Sequence, residues 1–207
     1  MLSIPELYYK DARKLIRSGD ILLCSGNSIF SKLIKFSTKS RWSHVAFIIK
    51  EKFDRFFVYE SVETRGVMHV PLSGYAYDYY GTKKGYAGTL LIARHSDIYS
   101  SKLDENPTKA INKAISMIGY PYDSIEIGKI AGKLLLSRFG IVGNGDRKDN
   151  GLDICSEYAE RFFKGLAIKI KRNHPRFIIP DDFFADARVK PICRVITQTK
   201  HESPYNY

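Results

Sequence analysis

The run Val45-Ala46-Phe47-Ile48-Ile49 is apolar on both of its alternating faces. As a strand it must be covered on both sides, which makes it the centre of a sheet. The sequence offers it neighbours at short intervals. Ile21 to Cys24 reads as a short buried strand, followed by a turn at Ser25-Gly26-Asn27. Phe56 to Glu60 reads as a strand joined to His44–Ile49 by the hairpin-like link Glu51-Lys52-Phe53-Asp54. Gly66 to Val70 and Thr89 to Ala93 supply two more strands, and Ile192 to Ile196 a late one. Between them a segment rich in tyrosine (Tyr75, Tyr77, Tyr79, Tyr80) reads as a loop or short helix.

Helical patterns surround these runs. Pro5 to Arg17 carries Leu7, Ala12, Leu15 and Ile16 as an irregular apolar stripe and reads as a helix ended by Ser18-Gly19-Asp20. Ser28 is an N-cap candidate for a helix bearing Ile29, Leu33, Ile34 and Phe36. Pro107 starts a helix through Ala110, Ile111, Ala114 and Ile118, which Gly119 stops. A helix follows from about Asp153 to Lys164, and Pro180-Asp181-Asp182 begins a short one. Helices grouped around a mainly antiparallel sheet make this an α+β fold. We expect one domain over 1–197, a helical insertion near 125–151 and a disordered tail at 198–207.

The content of 44% hydrophobic and 13% aromatic residues argues for a folded chain and against disorder. Three widely spaced cysteines make neither a disulfide framework nor a metal pattern, which suits a reducing compartment. Met1 to Ser18 mixes charges into its apolar positions, unlike a secretory signal, and no apolar stretch is long enough to span a bilayer. A cytoplasmic location is the expectation. The net charge of +11 favours polyanions near the surface, but its lysines and arginines are scattered and form no nucleic-acid motif. Nucleic acid is therefore not an expected partner, and an anionic membrane surface is retained as one.

The chemistry centres on Cys155. With Asp153 as N-cap it falls in the first turn of its helix, where unpaired amides and the helix dipole favour a thiolate. Its neighbours at helical spacing, Ala159, Phe162, Phe163 and Leu166, put it on a buried face, which also fits an inert core cysteine. His44 and Glu60 add weight to the reactive reading. In a hairpin centred on Lys52 each stands eight residues from the centre, so the two side chains face each other. A slip of one residue would send them to opposite faces. Glu60 could then accept from one imidazole nitrogen and leave the other for the thiol.

These residues carry a resemblance. Gly119-Tyr120-Pro121-Tyr122 with Asp153-Ile154-Cys155-Ser156 resembles the Gly-x-Pro-Tyr and Asp-Cys-Ser core of NlpC-type papain-like cysteine peptidases. Gly19-Asp20-Ile21-Leu22 with Ser43-His44-Val45-Ala46 resembles the same superfamily's Gly-Asp-strand and Ser-His-Val motifs. The histidine half precedes the cysteine half, as in the circularly permuted branch that includes YiiX-like proteins and relatives of lecithin retinol acyltransferase. Val58-Tyr59-Glu60-Ser61, Pro121-Tyr122-Asp123 and Cys155-Ser156-Glu157 are similar to the YiiX-like pattern in particular.

The resemblance implies a permuted papain-like fold with Cys155 as nucleophile, His44 as base, Glu60 orienting His44, and Tyr122 helping to position the acyl oxygen. No cofactor and no metal are expected. The expected function is a cysteine hydrolase of amidase or peptidase type, acting on a peptide, acylated or lipid-like substrate. The alternatives are an acyltransferase using the same site and a non-enzymatic lipid- or acyl-binding module.

The remaining candidates have structural readings. Cys24 and Cys193 lie in apolar runs and read as core. His69, His95, His174 and His201 lack metal-ligand spacing, and Gly143-Asn144-Gly145 is a turn signal. Asp20 reads as a residue of the turn that starts a strand. The insertion mixes Ile125, Ile127, Ile130 and Leu134 with Lys129, Lys133 and Arg138. It could be a core helix, a lid or a surface that meets lipid.

Overall fold

The computed structural model describes residues 3–99, 107–122, 154–173 and 177–198. The expected insertion near 125–151 and the tail from 199 onward lie outside the described residues, as do Asp153, His174 and His201. In chain order the elements are β1 (Glu6–Tyr8), α1 (Tyr9–Ala12), β2 (Asp20–Gly26), α2 (Ile29–Thr38), β3 (His44–Lys50), β4 (Phe56–Val62) and β5 (Gly66–Pro71). They continue with α3 (Leu72–Tyr77), β6 (Gly88–His95), α4 (Pro107–Ser116), α5 (Cys155–Gly165), α6 (Pro180–Ala185) and β7 (Val189–Ile196).

Among the described residues these strands form one sheet, in the order β1-β7-β6-β2-β3-β4-β5. Every pairing is antiparallel except that of β1 with β7. The α+β architecture with a mainly antiparallel sheet and helices around it is therefore what the chain adopts.

The apolar runs that marked the strands also explain why both faces are covered. Side chains alternate along a strand, and Ile21, Leu23, Phe47, Tyr59 and Leu91 enter one core together with residues of α4, α5 and α6. Their sequence neighbours Leu22, Cys24, Ala46, Ile48, Val58 and Ile92 enter a second core with residues of α1 and α3. Phe47 ties α5 to the sheet, stacking on Phe162 with ring centroids 4.0 Å apart and packing on Tyr158 at 5.3 Å.

One helical expectation is corrected. Pro5 to Arg17 is not one helix: Glu6–Tyr8 is a strand and only Tyr9–Ala12 is helical. Pairing with β7 wins over local propensity, because it gives this segment backbone partners, beginning with the Arg194 N–H donating to the Pro5 carbonyl at 2.8 Å. The helix α2 forms as expected, with Ser28 as its cap, accepting from the Ser31 N–H at 3.1 Å. Its apolar stripe is not buried as a unit: Ile34 is 7% exposed, but Ile29 is 87% exposed and Phe36 63%. The helix spans the rim of a cleft rather than lying flat on the sheet, so only the side holding Ile34 meets Ile154, Phe30, Tyr122 and Phe177.

Candidate active site

His44 is the first residue of β3, and the serine before it fixes where that strand begins. The Ser43 hydroxyl accepts from the Gly26 N–H at 3.0 Å and donates to the Cys24 carbonyl at 3.3 Å, joining the end of β2 to the start of β3. Glu60 is on β4 with no exposed surface. The Glu60 carboxylate lies 2.8 Å from His44 Nε2.

The register that brings them together differs from the expected one. Phe47 pairs with Tyr59 and Lys50 with Phe56, which centres the hairpin on Phe53 rather than Lys52. The link turns through Lys52–Asp54, where Phe53 and Asp54 take positive φ of 61° and 56°, closed by the Glu51 N–H on the Arg55 carbonyl at 2.8 Å. His44 and Glu60 are therefore diagonal across the pair rather than directly opposed. A displacement of two residues keeps both on one face, since the side-chain period is two. The bond survives because diagonal neighbours stay within reach of long side chains.

Two further donors converge on Glu60. The Tyr75 hydroxyl donates to Oε2 at 2.6 Å and the Tyr80 hydroxyl to Oε1 at 2.8 Å. The carboxylate is thus held from three sides, by His44 and by two tyrosines of the segment after β5. The sequence shows that segment as tyrosine-rich, but nothing in its pattern aims Tyr75 or Tyr80 at Glu60.

Cys155 is the first residue of α5, 3% exposed. The N-cap position falls on Ile154, not on the expected Asp153. Capping works from inside the helix: the Glu157 carboxylate accepts from the Ile154 N–H at 3.1 Å. The helix thus starts one residue later than expected and Cys155 occupies its first position, where a backbone N–H has no acceptor within the helix. Ser156 donates to the Ile178 carbonyl at 2.7 Å and anchors the helix start to the segment before α6. The expected buried face is present, since Cys155, Ala159, Phe162 and Phe163 are all buried.

His44 and Cys155 line one cleft, and Cys155 acts electrostatically on the imidazole as Glu60 does. Burial alone would lower its pKa, but the hydrogen bond and charge of Cys155, then those of Glu60, raise it to about 10. These interactions favour the protonated ring. Because Nε2 faces Glu60, Nδ1 is the nitrogen left for the sulfur.

His44, Tyr122 and Cys155 share the wall of a cleft of about 540 Å³, into which Tyr80, Tyr86 and Arg65 also project. On its other side Cys155 borders a narrow apolar slot of about 30 Å³ beneath α2, lined by Ile34, Ile154, Ile178 and Ile179. The thiol thus stands where a wide, tyrosine-walled space meets a small apolar one.

The other cysteines are buried and do not line the cleft. Burial pushes the Cys24 thiol well up, with the charges of Glu60 and Cys155 adding to it, and burial likewise raises Cys193 to about 11. Asp20 is buried and clamped by Arg94, whose Nε and a terminal nitrogen donate to its two oxygens at 2.6 and 2.8 Å. This pair ties β2 to β6 and lies outside the residues lining the cleft. Among the described residues no group of three or more His, Cys, Asp or Glu side chains could hold a metal ion. No helix among them is long and apolar enough to cross a membrane.

Comparison with known proteins bears on this arrangement. A solved structure described as the metalloprotein yiiX from Escherichia coli O157:H7 is similar at 19% identity and a TM-score of 0.49, covering 87% of this chain and 98% of that one. No curated protein matches the sequence. Residues 15–128 match the family model described as permuted papain-like amidase enzyme, YaeF/YiiX, C92 family, a span that includes His44, Glu60 and Tyr122 and ends before Cys155. That match extends over more than half of the 207 residues, and the chain belongs to this permuted papain-like family.

Proposed function

We propose that the protein is a cysteine hydrolase of amidase type, with Cys155 as nucleophile, His44 as proton carrier and Glu60 as the residue that orients His44. One observation carries the reading: the imidazole bonded to the fully buried Glu60 carboxylate lines the same cleft as the Cys155 side chain. A protonated imidazole beside the sulfur favours the thiolate, the reactive form of cysteine. The whole site belongs, in this reading, to one permuted papain-like domain.

The reaction follows from that geometry. The Cys155 thiolate attacks the substrate carbonyl carbon, forming a C–S bond and moving the carbonyl electrons onto oxygen. The Cys155 backbone N–H and the Tyr122 hydroxyl are the donors we assign to that oxyanion. His44 passes its proton to the leaving amine nitrogen as the C–N bond breaks, which leaves a thioester on Cys155. A water molecule then gives its proton to His44 and attacks the thioester carbonyl. The C–S bond breaks, the acid is released, and the imidazolium and thiolate are restored.

The cleft walls support a peptide, acylated or lipid-like substrate, since aromatic surface fills the wide side and the slot beside the sulfur is apolar. Three unpaired thiols support a reducing setting, in our reading the cytoplasm.

The test is acyl-enzyme trapping. p-Nitrophenyl acetate should add one acetyl group, located on Cys155 by peptide mass spectrometry and absent from Cys24 and Cys193. Cys155→Ala should abolish it, and His44→Ala should slow it by roughly 10²–10⁴-fold, the usual weight of general acid–base help. Equal acetylation of all three cysteines would defeat the reading.

A further inference from the structure

Arg65 stands at the tip of the β4–β5 hairpin, in a turn closed by its own N–H on the Val62 carbonyl at 3.0 Å. The turn is held in place. Gly66, the next residue, has φ +73° and passes so close to the Tyr120 carbonyl that a Cβ there would collide with it. The Val67 N–H donates to that carbonyl and the Gly119 N–H to the Val67 carbonyl, both at 2.8 Å. The hairpin tip is thus fastened to the segment that leads into Tyr122.

From this base the Arg65 guanidinium lies 4.1 Å above the ring centroid of Tyr80, whose hydroxyl donates to Glu60. Stacking on a ring uses the face of a guanidinium and leaves its five N–H donors, which point outward in the plane, unspent. Other arginines of this chain spend theirs on carboxylates: Arg94 on Asp20, Arg172 on Glu160, Arg188 on Asp186. Among the described residues Arg65 has no such partner. Glu63 lies on the same turn and lines the same cleft, yet forms no ion pair with it. The deeper carboxylate, Glu60, is already covered by three groups.

The cleft wall therefore presents a preoriented cation without a carboxylate partner among the described residues. We propose that Arg65 binds an oxyanion of the substrate, a carboxylate or phosphate on the part of the molecule remote from the bond that Cys155 attacks. This deepens the hydrolase reading and rests on it. A planar fork matches a carboxylate or phosphate in two-point contact, and the ring of Tyr80 holds it in one orientation. The substrate class becomes an amide or acyl compound carrying a negative charge at a fixed distance from its reactive carbonyl.

A ladder of alkylating probes tests this. N-chloroacetyl ω-amino acids of increasing length are compared with their neutral primary amides and with ω-aminoalkylphosphonates carrying the same chloroacetyl group. The rate constant for alkylation of Cys155 is read by mass spectrometry. The anion-to-amide rate ratio should peak at one chain length, by about tenfold or more over the shortest probe. A carboxylate or a phosphonate peak identifies which oxyanion is preferred. Arg65→Gln should flatten the peak, whereas Arg55→Gln, the same charge loss at the far hairpin, should leave it. A ratio flat with length, or one lowered equally by both variants, overturns the proposal while leaving the thiol site standing. Neutral probes that alkylate Cys155 no faster than Cys24 and Cys193 would instead remove the hydrolase reading and this inference with it.

Discussion

Tyr75 and His44 share one oxygen: the Tyr75 hydroxyl donates at 2.6 Å to the same Glu60 Oε2 that lies 2.8 Å from His44 Nε2. Tyr75 is 1% exposed, so its hydroxyl has no water to replace that acceptor. Removing it leaves a buried carboxylate one donor short. We expect Tyr75→Phe to lose about 1–3 kcal/mol in urea denaturation, the cost of an unsatisfied buried partner. Tyr80→Phe, which removes a donor from the solvent side of the cleft, should lose less. Equal losses would mean that the two tyrosines do not differ in what they shield.

The imidazole of His44 should titrate far from its usual position. Its pKa is raised from 6.5 to about 10, first against burial by Cys155 and then by Glu60. The stability it contributes is complete below pH 6.5 and is lost as pH rises through about 10. An NMR titration of the labelled ring should place its midpoint near that value. Cys155→Ala should lower the midpoint more than Glu60→Gln, because the sulfur makes the larger contribution. A wild-type midpoint near 6.5 would sink this account of the site.

What the sequence revealed follows from how each feature is encoded. The strands β2 to β6 were legible because runs such as Val45–Ile49 must be buried on both faces wherever they pack. The three residues of β1 are too few to display a period, and their partner β7 lies nearly the whole chain away. A hairpin centred on Lys52 puts His44 and Glu60 on one face even though the true centre is Phe53. Parity decides the face, and moving the centre by a whole residue shifts the pairing by two and preserves parity. Tyr75, Tyr80 and Arg65 were beyond such reasoning. Their aim depends on α3, on the positive φ of 51° at Tyr80 and on a hairpin tip pinned by Tyr120. Each is a tertiary arrangement with no sequence period.

Asp20 and Arg94 should matter for folding and not for the reaction. Both oxygens of the buried carboxylate are taken by Arg94, and one also accepts from the Arg17 N–H at 2.8 Å. Asp20→Asn keeps the shape but leaves the arginine, only 17% exposed in its side chain, without its counter-charge. Arg94 keeps its bond to the Leu15 carbonyl, so the cost is about 1–3 kcal/mol, that of one lost charged hydrogen-bond partner. We expect that loss in chemical denaturation, with the acetylation rate of Cys155 in the folded fraction unchanged. A selective fall in that rate at full stability would move Asp20 into the site's machinery.

His95 should make the protein sensitive to acid. It is fully buried, its Nδ1 accepts from the Asp97 N–H at 3.2 Å, and its Nε2 has no hydrogen-bond partner among the described residues. Phe163 packs against the ring, and Arg188, Asp97 and Asp186 are the charged groups around it. Burial, helped by the charge of Arg188, holds its pKa below 6.5 against the pull of the two aspartates. The fold therefore takes the neutral ring. Its contribution to stability is present above pH 6.5 and is lost as pH falls through the lowered value. His95→Asn offers an acceptor in place of Nδ1 and removes the titration. Urea midpoints measured at pH 7.5 and 5.0 should fall further in the wild type than in this variant. An equal fall in both would assign the acid sensitivity to other groups.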